Sequence, residues 1–194
     1  MDGTFHAGMR ELQDRFDTRR LADRLDERMG RGTFTADDRA FIESRTMFFL
    51  ASASADGRPD CSYKGGDPGF VQVVGDSELV FPSYDGNGMF RSLGNVLANP
   101  AVGLLFIDFD TPKRLRVNGQ ASIEDDTDAL ARFAGAQLVV RVRAGRIFPN
   151  CPRYIHKGGE PSIYVPRAGV VPPEPAWKSF PSLSDVLPGK TPTR

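Results

Sequence analysis

Apolar and polar residues alternate with a period of two through the middle of this chain, while its first forty residues follow helical spacing. Leu12, Phe16, Leu21 and Leu25 recur at roughly helical intervals with Asp, Glu and Arg between them, which predicts an amphipathic helix ended by Gly30 and Gly32. A second helix is predicted from Thr35. Thr35 and Asp38 have the spacing of a capping box, and Phe41 and Ile42 supply its apolar contacts.

Strands follow. Residues 47–54 form an apolar run that turns polar, Asp56-Gly57 marks a tight hairpin turn, and 58–63 supply the partner strand. Residues 70–74 and 78–81 read as a hairpin around Gly75-Asp76. A short helix is predicted over 89–98, with Asn87 as its cap and Asn99-Pro100 as its stop. Two more strands, 101–108 and 115–123, join through Asp110-Thr111-Pro112. A helical stretch over 127–133 precedes a long alternating strand at 137–148.

About six strands linked mostly by hairpins, with few short helices, predict an antiparallel β-barrel that is mainly β with flanking helices. A doubly wound sheet would need a helix between most strands, and the pattern offers none. Beyond Lys157 the texture changes, because eight of the fifteen prolines lie from Pro161 onward. That segment reads as an extended arm fastened by Trp177, Phe180, Leu183 and Leu187. The expected organisation is a helical extension at 1–34, the barrel at 35–157 and a Pro-rich arm at 158–194.

Composition narrows the function classes. The 194 residues suit one domain with a tail, and 25 basic residues balance 25 acidic ones. A net charge of zero gives no support for a nucleic-acid or membrane-surface partner. No apolar run reaches membrane-spanning length, and the charged N-terminus lacks the apolar region of a secretory signal. Cys61 and Cys151 form no disulfide or metal pattern, and Cys151 with His156 matches no common zinc spacing. A reduced, cytoplasmic protein is the expectation.

The densest chemistry lies between Cys61 and Asn95. Small residues alternate there with Lys64, Arg91, hydroxyls and amides, which equips the stretch to hold an anion and a flat polar ring against the main chain. No nucleophile, base or metal set accompanies it, so the catalytic residues are left open.

Five segments carry a resemblance: PDCSYKGGDPGFV at 59–71, FPSYDGNGMFRSLGN at 81–95, NPAVGLLFID at 99–108, LRVNGQASI at 115–123 and FPNCPRYIHK at 148–157. Over about residues 35–157 the chain resembles the pyridoxamine 5'-phosphate oxidase-like FMN-binding split-barrel family, in a bacterial branch. The resemblance implies a six-stranded split barrel, a homodimer, and FMN in two equivalent grooves at the dimer interface. It places the strand with Ser62, Lys64, Gly65 and Gly66 beside the flavin, and Asn87, Arg91, Ser92 and Asn95 at the ribityl phosphate. It brings the segment with Arg153 and Tyr154 over the site from one subunit or the other. True pyridoxamine phosphate oxidases end in a segment rich in Arg, Trp and His that grips the substrate phosphate. This chain ends in Pro-rich sequence instead, so that substrate is not carried over.

FMN would need fixed cations and donors at its phosphate. Arg91 can fork onto phosphate oxygens, Ser92 can donate from the same turn, and a helix N-terminus favours an anion. Lys64 is placed at the flavin N1–C2=O edge, with a phosphate contact as the alternative. Ser62 shares its strand face. Tyr84 can stack on the ring, and Arg116 with Asn118 can reach its pyrimidine edge. The expected function is flavin-dependent oxidoreduction of an unidentified small molecule. The alternatives are a deazaflavin or haem in the same fold, or a dimer that stores flavin without turnover.

Overall fold

The computed structural model describes residues 4–158, 163, 173–174 and 176–187. They fall into two compact units, residues 31–160 and residues 1–30 with 161–194.

The larger unit is one antiparallel sheet. Its strands are β1 (Met47–Ala53), β2 (Pro59–Gly65), β3 (Gln72–Val73), β4 (Glu78–Ser83), β5 (Ala101–Asp108), β6 (Lys113–Glu124) and β7 (Leu138–Pro149). They lie in the order β2-β1-β5-β6-β7-β4-β3. This is the expected split β-barrel with seven strands rather than six, the extra one being the two-residue β3. Period-two alternation sends Phe48 and Leu50, Leu104 and Phe106, and Leu115 and Val117 to one buried face. The sheet coils on itself around that face. Phe48 on β1 meets Phe81 on β4 edge-on at 4.9 Å between ring centroids, although three strands separate β1 from β4 in the sheet. Phe106 and Phe70 pack against the same ring at 5.1 and 5.9 Å.

A bulge makes the coiling local. Asn118 pairs with Arg146 but Gly119 pairs with Ala144, leaving Gly145 as an extra residue on β7. Both Ala144 and Ile147 therefore face the core. A side chain at Gly119 would overlap the carbonyl oxygen of Arg143, so only glycine allows this approach.

Three helices decorate the sheet. α3 (Ala36–Glu43) starts at the predicted capping box: Thr35 Oγ1 accepts from Asp38 N at 3.1 Å, and the Asp38 carboxylate accepts from Thr35 N at 2.9 Å. Its Phe41 and Ile42 are buried as expected. α5 (Thr127–Leu130) covers the outer side of β4 and β7, where Ala129 and Phe133 pack on Val80 and Val139. It is shorter than the predicted 127–133. α4 (Arg91–Ala98) buries Ser92, Leu93 and Val96, and Asn99 caps its C-terminus.

The smaller unit corrects the single N-terminal helix. Asp17 adopts φ 50°, in the left-handed region, and divides the segment into α1 (Ala7–Arg15) and α2 (Arg19–Met29). Gly30 ends the second helix as predicted. Leu21 is buried with Leu183 and Val186, beside Leu25, Trp177 and Leu187. Arg24 reaches the Ser182 carbonyl at 2.9 Å. Phe180, expected among the fastening residues, is instead 53% exposed. Most of the predicted Pro-rich arm lies outside the described residues.

Gly119→Ala should destabilise the barrel by at least about 2 kcal/mol, because backbone must move to admit one methyl group. Urea unfolding followed by circular dichroism reads this directly. A midpoint equal to that of the wild type would show that the bulge tolerates a side chain.

Candidate functional site

Strand alternation on β2 turns Asp60, Ser62 and Lys64 to one side, while Cys61 and Tyr63 face the other. The N-terminal turn of α4 lies across that row. Lys64 Nζ donates to Ser92 Oγ at 3.2 Å, and the Ser62 and Ser92 hydroxyls are 3.3 Å apart. Arg91 reaches Asp60 at 3.2 Å. These groups open into a cleft of about 480 Å³, which lies within the size range of small-molecule sites. Ser83, Tyr84 and the glycine-containing loop that leads into Phe90, the N-cap of α4, complete the lining.

Two cations, Lys64 and Arg91, and two carboxylates, Asp60 and Asp85, line the cleft, and the positive charge gathers at its Lys64 corner. Burial pushes the Lys64 ammonium below the usual lysine range, opposed by the more distant charge of Asp60. Among the described residues, no carboxylate lies within ion-pairing distance of Lys64. The first-turn amides of α4 have no acceptor within the helix, and no acidic residue occupies that turn. Arg91 is less committed, being 67% exposed at its side chain.

Of the residues singled out from the sequence, Ser62, Lys64, Tyr84, Asn87, Arg91 and Ser92 come together around the cleft. Asn87 is not the helix cap. Phe90 holds the N-cap position with φ 47°, and the Asn87 side chain accepts from Met89 N at 3.0 Å within the loop. Asn95 faces β1, where it donates to the buried Ser52 at 3.1 Å. Gly65 and Gly66 make room for neighbours: a Cβ on either would lie 2.7 Å from the Tyr63 ring or from Phe70. Arg116 lies on the outer face of β6 with its guanidinium 5.8 Å from the Phe148 ring centroid. Arg153 sits 5.5 Å from the ring of Tyr154, away from the cleft lining. Both cysteines are free, and among the described residues no group of His, Cys, Asp or Glu is placed to hold a metal.

The cleft also holds residues the sequence reading passed over. Asp60 could have been found by stepping back two residues from Ser62 along the strand. Phe90 carried no signal, because its left-handed backbone and exposed ring are visible only in the fold. Gln137 reaches the cleft because β4 pairs with β7, and its amide donates to Asp85 at 3.1 Å.

The coiled sheet and the polar cleft at the start of α4 together define a split-barrel protein with a small-molecule-sized groove. The chain belongs to the pyridoxamine 5'-phosphate oxidase family, whose model matches residues 34–151, more than half of its length. A candidate pyridoxamine 5'-phosphate oxidase from Lactobacillus delbrueckii shares the fold at TM-score 0.50 and 22% identity, covering 61% of this chain and 95% of that one. An FMN-binding protein from Syntrophomonas wolfei is similar at TM-score 0.49 and 10% identity, over 74% of this chain and 95% of that one. HutZ, a haem storage protein from Vibrio cholerae, is similar at TM-score 0.41 and 20% identity, over 58% and 92%. Curated protein sequences give no significant match. No helix among the described residues is long and apolar enough to cross a membrane.

The similar proteins include FMN-binding and haem-storing ones, and the donors in this cleft can be weighed against a phosphate-bearing cofactor. A half-buried ammonium, two hydroxyls and the amides of a helix N-terminus converge where a phosphate could accept from each. The arrangement holds a cost for the free protein. A lysine whose folded pKa lies below its unfolded value destabilises the fold while protonated, and this penalty fades as pH rises from the folded pKa toward the unfolded one. Lys64→Met should therefore raise the thermal midpoint of the free protein at neutral pH, with the gain shrinking as pH approaches the lysine range. Calorimetric scans across alkaline pH would show this. A lower midpoint in the variant would mean that the Ser92 contact outweighs the burial.

Proposed function

We propose that this protein binds FMN as a homodimer and uses it in oxidation–reduction of a small organic molecule. The observation that supports it is the Lys64 ammonium, held against Ser92 at the first turn of α4 without a carboxylate partner. Lys64 and Ser92 hold the phosphate in this reading, with Ser62 and the α4 amides as further donors. That moves Lys64 from the ring edge, its first expectation, to the phosphate. Arg91 contributes less, because it is exposed and already faces Asp60. Tyr84 and Phe90, which also line the cleft, offer apolar surface to the flat ring.

FMN, when bound, would supply hydride chemistry at its ring. The chain's own residues then bind the phosphate, fix the direction of the ribityl chain and limit water around the ring. Phosphate recognition serves a phosphate-bearing deazaflavin equally well, so the absorption spectrum of the loaded protein separates the two.

The dimer reading is supported by the outer face of β2, β1 and β5. Tyr63, Phe49 and Leu105 lie opposite one another in register there, and Tyr63 is 62% exposed. A second copy of the same face is a self-complementary partner for it.

In a fluorescence titration, Lys64→Ala should weaken FMN binding by about 1.5–3 kcal/mol, the range for a hydrogen bond to a charged group. Arg91→Ala should cost less than about 1 kcal/mol. Unchanged affinity in the Lys64 variant would sink the phosphate assignment. Sedimentation of the wild type should give a dimer, and Tyr63→Arg should shift it toward monomer. A monomeric wild type would overturn the shared-face reading.

A further inference from the structure

Asp60 is out of place in a cleft for anions. It leads the row Asp60, Ser62, Lys64 along one face of β2, so an acceptor, a hydroxyl and a cation follow at intervals of about 6.6 Å. Its carboxylate is 15% exposed and lines the same cleft. Arg91 neutralises it only in part, because that guanidinium lies mostly in solvent. A bare anion entering the Lys64–Ser92 corner would meet the repulsion of this carboxylate. A ligand that carries hydroxyl groups next to its anion meets the reverse, since a carboxylate accepts hydrogen bonds and these are strong where the acceptor is charged.

We propose that Asp60 is the specificity residue of the cleft and selects a polyol phosphate over a bare phosphate by accepting hydrogen bonds from the hydroxyls beside it. The proposal rests on the reading of Lys64 and Ser92 as phosphate donors. The geometry supports it twice. Strand spacing sets Asp60 one pleat beyond Ser62, within reach of a chain of hydroxyls running away from a phosphate at Lys64. The 3.2 Å contact with Arg91 shows that this carboxylate faces the first turn of α4, an orientation that strand alternation on β2 already sets. The ribityl phosphate of FMN has this pattern, as does any phosphorylated linear polyol.

The test is calorimetric titration of the full chain with two probes, inorganic phosphate and ribitol 5-phosphate. The wild type should prefer ribitol 5-phosphate. Asp60→Asn keeps the shape and removes the charge. It should weaken ribitol 5-phosphate, strengthen inorganic phosphate and cut the preference about tenfold or more. Asp60→Ala should cut it at least as far, and Arg91→Gln should preserve it. Lys64→Met should weaken both probes. An unchanged preference in both Asp60 variants, with both probes still weakened by Lys64→Met, would overturn the role of Asp60 and leave the phosphate reading standing. Equal affinities in the wild type and Lys64→Met would overturn both.

Discussion

The coiling of one antiparallel sheet around Phe48 is the constraint on which the rest of the barrel depends. A flat seven-stranded sheet would leave the inner faces of β1 and β4 far apart. Here their phenylalanines touch, with Phe70 and Phe106 completing the cluster. Burying such rings stabilises the fold by about 1.5–3 kcal/mol each. The bulge at Gly119 and Gly145 supplies the extra twist that lets β6 and β7 turn the corner. Packing and backbone geometry are thus two halves of one solution.

Coiling also explains where the cleft lies. β2 is an edge strand. α4 packs on β1, β6 and β2, against the face that carries the polar row of β2. Its apolar residues Leu93 and Val96 enter the core, Asn95 bonds to Ser52 on β1, and its first turn is left facing Ser62 and Lys64. The helix is a structural prop at its C-terminal end and a source of donors at its N-terminal end. A charged lysine is tolerated there because the serine hydroxyls replace part of its lost water.

Most of the fold was legible in the sequence because barrel strands alternate strictly and their turns carry recognisable residues. Asp56-Gly57, Gly75-Asp76 and Asn99-Pro100 mark real boundaries. The capping box at Thr35 was legible for the same reason, since both partners lie within one turn. The break at Asp17 was not, because a left-handed aspartate leaves no distinct mark among charged neighbours. The site was half legible. Motif and alternation brought out Ser62, Lys64, Arg91 and Ser92, which share the cleft. They could not show that Asn95 turns to β1, or that Gly65 and Gly66 yield space to Tyr63 and Phe70. The Asn95 contact joins segments distant in the chain, while the glycine contacts, though local, depend on how the backbone turns after β2. The same limit hid Gln137.

The pairing that brings Gln137 to the cleft has a kinetic meaning. Its contact with Asp85 spans 52 positions, and β4 pairs directly with β7 although β5 and β6 intervene in the sequence. Chains dominated by such distant pairings fold slowly, because loop closure precedes its reward. The groove wall formed by Ser83, Tyr84 and Gln137 therefore assembles only when that distant pairing does. A nascent chain exposes β2 and its lysine well before that wall exists, so the cleft is complete only once translation has passed β7.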